Sequence, residues 1–312
     1  MAQTSKAGII GCGFVGSACA YTLMQRGLFS ETVLLDANAA RAEGEAMDIA
    51  HGLPFAKPMN IYAGTYADLA DAGLVIVTAG ANQKPGETRL DLVRKNGHIL
   101  LSILEELKKC RFCGVLLIVS NPVDVLTRVA QQFSGLPENK VFGSGTVLDT
   151  ARLRYLLGEH LNVDSRGVHA FIVGEHGDSE IPVWSSATVA GMPLHEFCEL
   201  RGYYDHELAM RDIGESVKNS AYEIIERKGA TYYGIAMAVQ RICEAVVRDE
   251  KSVLPVSAAL HGEFGIDGAT LSIPAVLGKE GVEQAVPVSL SRDELTRLHY
   301  SAETLKDAFA NL

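Results

Sequence analysis

Through the first half of the 312-residue chain, short continuous hydrophobic runs alternate with amphipathic stretches. Residues 7–10, 32–35, 61–63, 74–78 and 115–119 read as strands, and 14–26, 39–49, 91–108 and 123–133 as helices. Strands that are apolar throughout need cover on both faces. Their regular alternation with helices predicts an α/β, Rossmann-type doubly wound parallel sheet. After about residue 143 the pattern changes. Helices are expected at 147–160, 206–227, 231–248 and 292–310, and strands at 168–173, 252–260, 269–274 and 281–287. Without strict alternation, this half reads as an α+β substrate domain. The expected division is 1–143 for a nucleotide-binding domain and 144–312 for a substrate-binding, catalytic one. No segment rich in Gly, Pro or Ser separates them.

The first expected strand runs into Gly11-Cys-Gly13-Phe-Val-Gly16, which opens the first helix. In that context Gly11 allows a tight turn, Gly13 lets a pyrophosphate approach the backbone, and Gly16 permits close helix–strand packing. The helix N-terminus presents free N–H groups to the anion. Asp36 ends the second strand, twenty residues beyond Gly16, where a carboxylate accepts hydrogen bonds from a ribose and repels an extra phosphate. NAD is therefore the expected cofactor, in preference to NADP. Thr78 to Ala81, Ser120-Asn121-Pro122 and the loop after Tyr66 follow strand ends and are expected to line its crevice.

Charge narrows the possible partners. With 28 basic and 38 acidic residues the formal net charge is −10, so binding to nucleic acid or to an anionic membrane is not expected. An anionic substrate would need local positive charge. Six cysteines are too sparse for a disulfide framework. Cys110 and Cys113, with two residues between them, lack a second ligand pair, so they read as reduced thiols and no metal site is expected. There is no signal-peptide pattern and no apolar run of membrane-spanning length, which points to the cytoplasm.

His176 follows an expected strand and lies between Gly174-Glu and Gly-Asp-Ser. A histidine can exchange protons near neutral pH when a carboxylate orients it. Asp149 is the candidate carboxylate. Arg152, one turn along the same helix, could meet a substrate carboxylate with its fork of N–H groups. A surface ion pair is the competing reading of the Asp–Arg spacing.

Five segments carry a resemblance to a known family. They are Gly80-Ala-Asn-Gln83-Lys-Pro-Gly-Glu-Thr-Arg89, Ser120-Asn121-Pro-Val-Asp124, Gly143-Ser144-Gly-Thr-Val-Leu-Asp149-Thr-Ala-Arg152, Gly174-Glu-His176-Gly-Asp-Ser, and Lys228-Gly-Ala-Thr231-Tyr-Tyr-Gly. From residue 7 to the C-terminus the chain resembles the L-lactate/malate dehydrogenase family. The resemblance implies that His176 is the proton donor and acceptor, with Asp149 as its partner. It implies that Arg89 polarises the substrate carbonyl from a closing loop and that Arg152 binds the substrate carboxylate. Asn121, Asp124 and Thr231 complete the implied substrate set. Val15, Asp36, Arg41, Tyr66, Gly80, Ala81, Ser102, Val119, Asn121 and Ser144 are implied to hold NAD with the three glycines.

Gln83 separates the two branches of the family. Malate enzymes resemble this loop but carry an arginine at the matching position, to meet a second carboxylate. A neutral side chain there favours pyruvate and L-lactate, because an unpaired carboxylate under a closed loop is costly. A longer 2-hydroxy acid stays open, as does a non-catalytic protein on the same scaffold. Bacterial members resemble the chain at Arg154 and His169, which implies a fructose 1,6-bisphosphate site between subunits of a homotetramer.

Overall fold

The computed structural model describes residues 6–81 and 89–311, with side chains at all of these except 89 and 90. Gln83, Lys84 and the Pro85-Gly86 pair lie outside the described residues, as does the side chain of Arg89.

The first half forms β1 (Lys6–Ile10), α1 (Phe14–Arg26), β2 (Glu31–Leu35), α2 (Ala39–His51), β3 (Asn60–Ala63), β4 (Leu74–Val77), α3 (Arg89–Lys109), β5 (Val115–Ile118), α4 (Val123–Phe133) and β6 (Val141–Gly143). All six strands are parallel, in the spatial order β3-β2-β1-β4-β5-β6. The sheet is doubly wound, as the apolar runs predict. Leu74-Val-Ile-Val77 and Val115-Leu-Leu-Ile118 are buried at every position, since helices cover both faces. The order reverses between β1 and β4, so a crevice opens beyond their carboxyl ends.

The second half forms α5 (Val147–Leu161), β7 (Val168–Val173), β8 (Ile181–Val189), β9 (Met192–Pro193), α6 (Leu194–Leu200), α7 (His206–Lys228), α8 (Tyr233–Val247), β10 (Ser252–His261), β11 (Asp267–Gly278), β12 (Gly281–Ala285) and α9 (Arg292–Ala310). Its strands divide between two sheets. β7, β8 and β9 form an antiparallel sheet of their own. β10 pairs antiparallel with β6 through Ser257 and Gly143, and β11 and β12 follow it, extending the first sheet to nine strands. The two halves thus share a hydrogen-bonded sheet.

Most expected elements form within two residues of their predicted ends. The helix expected to begin at 231 starts at Tyr233, which leaves Thr231 in the connection from α7. β6, β8, β9 and α6 were not foreseen. In β8, Pro182 and the Ser185-Ser186 pair break the alternation that marks a strand. Ser291 and Glu294 cap the start of α9 reciprocally. The Glu294 carboxylate also accepts from the backbone N–H groups of Trp184 and Ser185, which joins α9 to β8.

Candidate active site

The dinucleotide turn is built where the carboxyl ends of β1, β2 and β4 meet. Gly11 has φ +105°, and a Cβ there would lie 2.5 Å from the Ala79 nitrogen. A Cβ on Gly16 would overlap the Gly11 carbonyl oxygen. At Gly13 the same test meets nothing within 4 Å. Two glycines therefore allow backbone to pack on backbone, and the third leaves a surface for a ligand to approach. Asp36 braces this turn. One of its oxygens accepts from the Cys12 N–H at 2.7 Å and the other from the Asn38 N–H at 2.9 Å. Thr78 donates to the Gly11 carbonyl at 2.6 Å.

The neighbouring loops are fastened by a residue the sequence reading missed. Asn96 is buried in α3. It accepts from the Ala81 N–H at 2.8 Å and donates to the Asn121 carbonyl at 2.8 Å. The loops after β4 and β5 are thereby tied together on one side of the crevice. Ser120 adds a bond to the Ala79 carbonyl at 2.6 Å. Val119 and Ser144 are buried at strand ends, Asn121 and Gly80 are exposed, and Val15 is half-buried in the first turn of α1. Tyr66 is half-buried against the core, while Arg41 at the start of α2 and Ser102 on α3 are exposed. The set fits a dinucleotide: a glycine turn at a helix N-terminus for the pyrophosphate, and a carboxylate at the end of β2 for a ribose.

The proton-handling residues come together where β7 passes α5. The His176 Nδ1 lies 2.6 Å from one Asp149 oxygen, and Arg152 Nη1 donates to the other at 2.8 Å. The Asp149 side chain is 3% exposed, Arg152 14% and His176 26%. One buried carboxylate thus fixes both an imidazole and a guanidinium while each keeps an open side. Burial works against the Asp149 charge, but the positive His176 and Arg152 outweigh it and hold the carboxyl below its ordinary range. Burial likewise opposes charge on His176. The Asp149 charge and hydrogen bond, with Asp124 and Glu180 behind them, prevail and raise the imidazole to about 9.

The backbone around His176 is equally constrained. Gly174, at φ +90°, exchanges two backbone hydrogen bonds with Ser272 of β11. Asp124 is buried, accepts from the His176 N–H at 2.7 Å, and takes the Ser257 hydroxyl at 2.6 Å. Its oxygens are engaged behind the imidazole, so here Asp124 anchors the His176 loop. Burial pushes it up to about 6 despite these bonds. Thr231 lies in the connection between α7 and α8. Next to it, Tyr232 stacks on Phe14 of the glycine turn with centroids 5.4 Å apart, which brings that connection to the dinucleotide turn.

Arg154 and His169 stand apart from this cluster. Arg154 is half-buried beside a cavity of about 260 Å³ between α5 and α8, and His169 is exposed on β7. Among the described residues no helix is long and apolar enough to cross a membrane.

Comparison with known proteins covers both halves of the chain. Residues 5–143 match the lactate/malate dehydrogenase NAD-binding domain, and residues 146–312 the lactate/malate dehydrogenase alpha/beta C-terminal domain. An L-lactate dehydrogenase of Acetivibrio thermocellus is 51% identical over 307 residues, covering 98% of this chain and 97% of the other. A lactate dehydrogenase from a Medee basin deep-sea metagenome library superposes with a TM-score of 0.96 at 44% identity, covering 99% of both chains. The minor L-lactate dehydrogenase of Enterococcus mundtii, in its ligands-bound form, gives the same values. Nearly every residue of the chain falls within these matches, and it belongs to the lactate/malate dehydrogenase family.

Proposed function

We propose that the chain is an NAD-dependent L-lactate dehydrogenase that interconverts pyruvate and (S)-lactate, with His176 as the proton donor and acceptor. The observation that carries this reading is the sharing of Asp149 between His176 and Arg152. One carboxylate orients both an acid–base group and a guanidinium suited to the carboxylate of a 2-oxo acid.

The turn from Gly11 to Gly16 and Asp36 would hold NAD, which would supply or accept the hydride. The chain's own residues do the rest. With Nδ1 committed to Asp149, Nε2 is the nitrogen left for the substrate oxygen. In the charged imidazole, Nε2–H donates to the pyruvate carbonyl and passes its proton as negative charge develops there. In the neutral form, Nδ1–H stays on Asp149 and Nε2 accepts the lactate hydroxyl proton. Arg152 holds the substrate carboxylate, with Asn121 and Thr231 lining the pocket. Arg89, at the first position of α3, would meet the same developing charge. The identity of Gln83 favours a methyl group over a second carboxylate.

The proposal extends to a cytoplasmic homotetramer that binds fructose 1,6-bisphosphate through Arg154 and His169. Large exposed apolar side chains on α1, α2 and α8, among them Phe14, Met47 and Met237, support burial against other subunits. The test is NADH oxidation with pyruvate and with oxaloacetate, each with and without the bisphosphate. Pyruvate turnover well above oxaloacetate turnover is expected. The reverse preference would overturn the reading of Gln83, and no turnover with either would overturn the enzyme. Pyruvate turnover that ignores the bisphosphate would remove the effector role from Arg154 and His169.

A further inference from the structure

Besides Asp149 and the Asp124 that anchors its loop, His176 has a third carboxyl group nearby that the scheme above does not use. Glu180 stands four residues after His176, where the loop enters β8. It is 8% exposed, and its Oε1 has no hydrogen-bond partner among the described residues. A Glu180 oxygen, an Asp149 oxygen and a His176 ring nitrogen lie within 4.8 Å of one another. Buried carboxylates are ordinarily paired. An orphaned oxygen this close to a proton-carrying imidazole is an arrangement the packing alone does not require.

Glu180 also forms part of the wall of a cavity of about 780 Å³ between the His176 loop, α7 and α9. The charged groups facing Glu180 are Asp149 and Arg152 from α5, His176 from its own loop, and Lys218 from α7. From α9, Arg297 donates to the Glu180 main-chain oxygen at 3.5 Å. Asp124, at the start of α4, faces His176 from behind. Burial, then the Asp149 charge, pushes Glu180 up to about 8, against the pull of the cations. Near neutrality the neutral acid is therefore the favoured form.

We propose that Glu180 is a positioning residue for the acid–base step. It is a neutral acid beside His176 at neutral pH, and as the medium turns alkaline it ionises and holds the imidazolium proton in place. The inference rests on the role given to His176 above. Pyruvate reduction requires the charged imidazole. A carboxylate appearing beside it opposes deprotonation and carries reduction to higher pH. Because the two groups titrate together, the alkaline limb of the wild-type profile should be broader than a single ionisation.

The experiment measures kcat/KM for pyruvate from pH 6 to pH 10 for the wild type, Glu180→Gln and Glu180→Ser, with NADH affinity as a check on folding. In both variants the alkaline limb should move to lower pH by about one unit, which is a modest share of a unit-charge interaction at this separation. The acid limb of lactate oxidation should move in the same direction, while the rate at pH 6 stays within about threefold, as expected where the wild-type group is already neutral. Variant profiles that superimpose on the wild type in shape, whatever their height, would overturn the proposal. So would a wild-type limb that fits one ionisation. A wild type without pyruvate turnover would instead overturn the functional reading, so the two failures are distinct.

Discussion

Replacing Asp149 with asparagine tests the centre of the site, because the change keeps its shape and removes its charge. The carboxylate has two acceptor oxygens, one for His176 Nδ1–H and one for Arg152. An amide has one. If its oxygen stays with Arg152, its NH2 faces Nδ1 and forces the imidazole proton onto Nε2. Neutral His176 could then no longer accept the proton of lactate. The charge matters separately. Asp149 is the chief group that raises His176 from 6.5 to about 9, a difference worth about 3 kcal/mol. Without it, burial is opposed only by Asp124 and Glu180, so at pH 7.5 the protonated fraction falls from nearly all to about one-tenth or less. The wrong tautomer adds a further large factor, as in catalytic triads, so a total loss in kcat/KM for pyruvate of about 10³ to 10⁴ is expected. The assay is NADH oxidation by the purified variant across pH 5.5 to 9. The loss should shrink by about tenfold toward the acid end, where the unassisted imidazole is again charged. A loss under about tenfold at pH 7.5, or one confined to the KM for pyruvate, would refute this account of Asp149.

Arg152→Lys replaces a fork with a point charge and should raise the KM for pyruvate by about a hundredfold while kcat changes less; equal losses in both would count against a carboxylate clamp. Gln83→Arg should raise kcat/KM for oxaloacetate relative to pyruvate by at least about tenfold, and an unchanged ratio in the same NADH assay would refute the specificity argument. Gly16→Ala pushes a Cβ into the Gly11 carbonyl, so fluorescence titration should show NADH affinity reduced by about a hundredfold or more. Since the charged form of His176 prevails below a pKa of about 9, pyruvate reduction should fall as pH rises through that value. Lactate oxidation should fall as pH drops through it. Limbs centred at or below 6.5 would show that Asp149 does not raise the imidazole.

The legibility of this fold and site followed the strength of the local pattern. β4 and β5 are apolar at every position and could be read as buried strands without their neighbours. The glycine turn could be read because it joins a strand to a helix and Asp36 stands at the right distance. Asp149 and Arg152 are three apart on one helix, which the spacing predicts. Their meeting with His176 depends on the packing of α5 against β7, which no local pattern encodes; the chemistry made Asp149 a candidate partner, and the resemblance implied the pairing. Asn96 was missed although it left a signal: it lies on the face of α3 that buries Val93, Leu100, Ile103 and Leu107, where a polar residue requires partners. Glu180 left a similar trace as a charged residue at the mouth of the apolar run Ile181-Pro-Val. The anchoring part of Asp124 was not legible, because Ser257 and the His176 backbone reach it from elements far along the chain.

The charge around the pocket explains how an acidic protein can receive an anion. The overall charge of −10 opposes pyruvate at long range. At the described site, the single carboxylate of Asp149 serves both protonated His176 and Arg152, so the three groups sum to +1. Glu180 in its neutral form leaves that surplus intact; ionised, it would cancel it. The surplus matches the substrate carboxylate, and proton transfer to the carbonyl oxygen removes it, leaving Asp149 and Arg152 balanced once the product has formed. The affinity for the anion is thus tied to the proton on His176. Pyruvate should therefore bind more tightly to the NADH complex at low pH than at high pH, whereas lactate binding should show no such gain. This dependence needs no group beyond those that carry out the chemistry, and it places substrate selection and proton transfer on the same buried carboxylate.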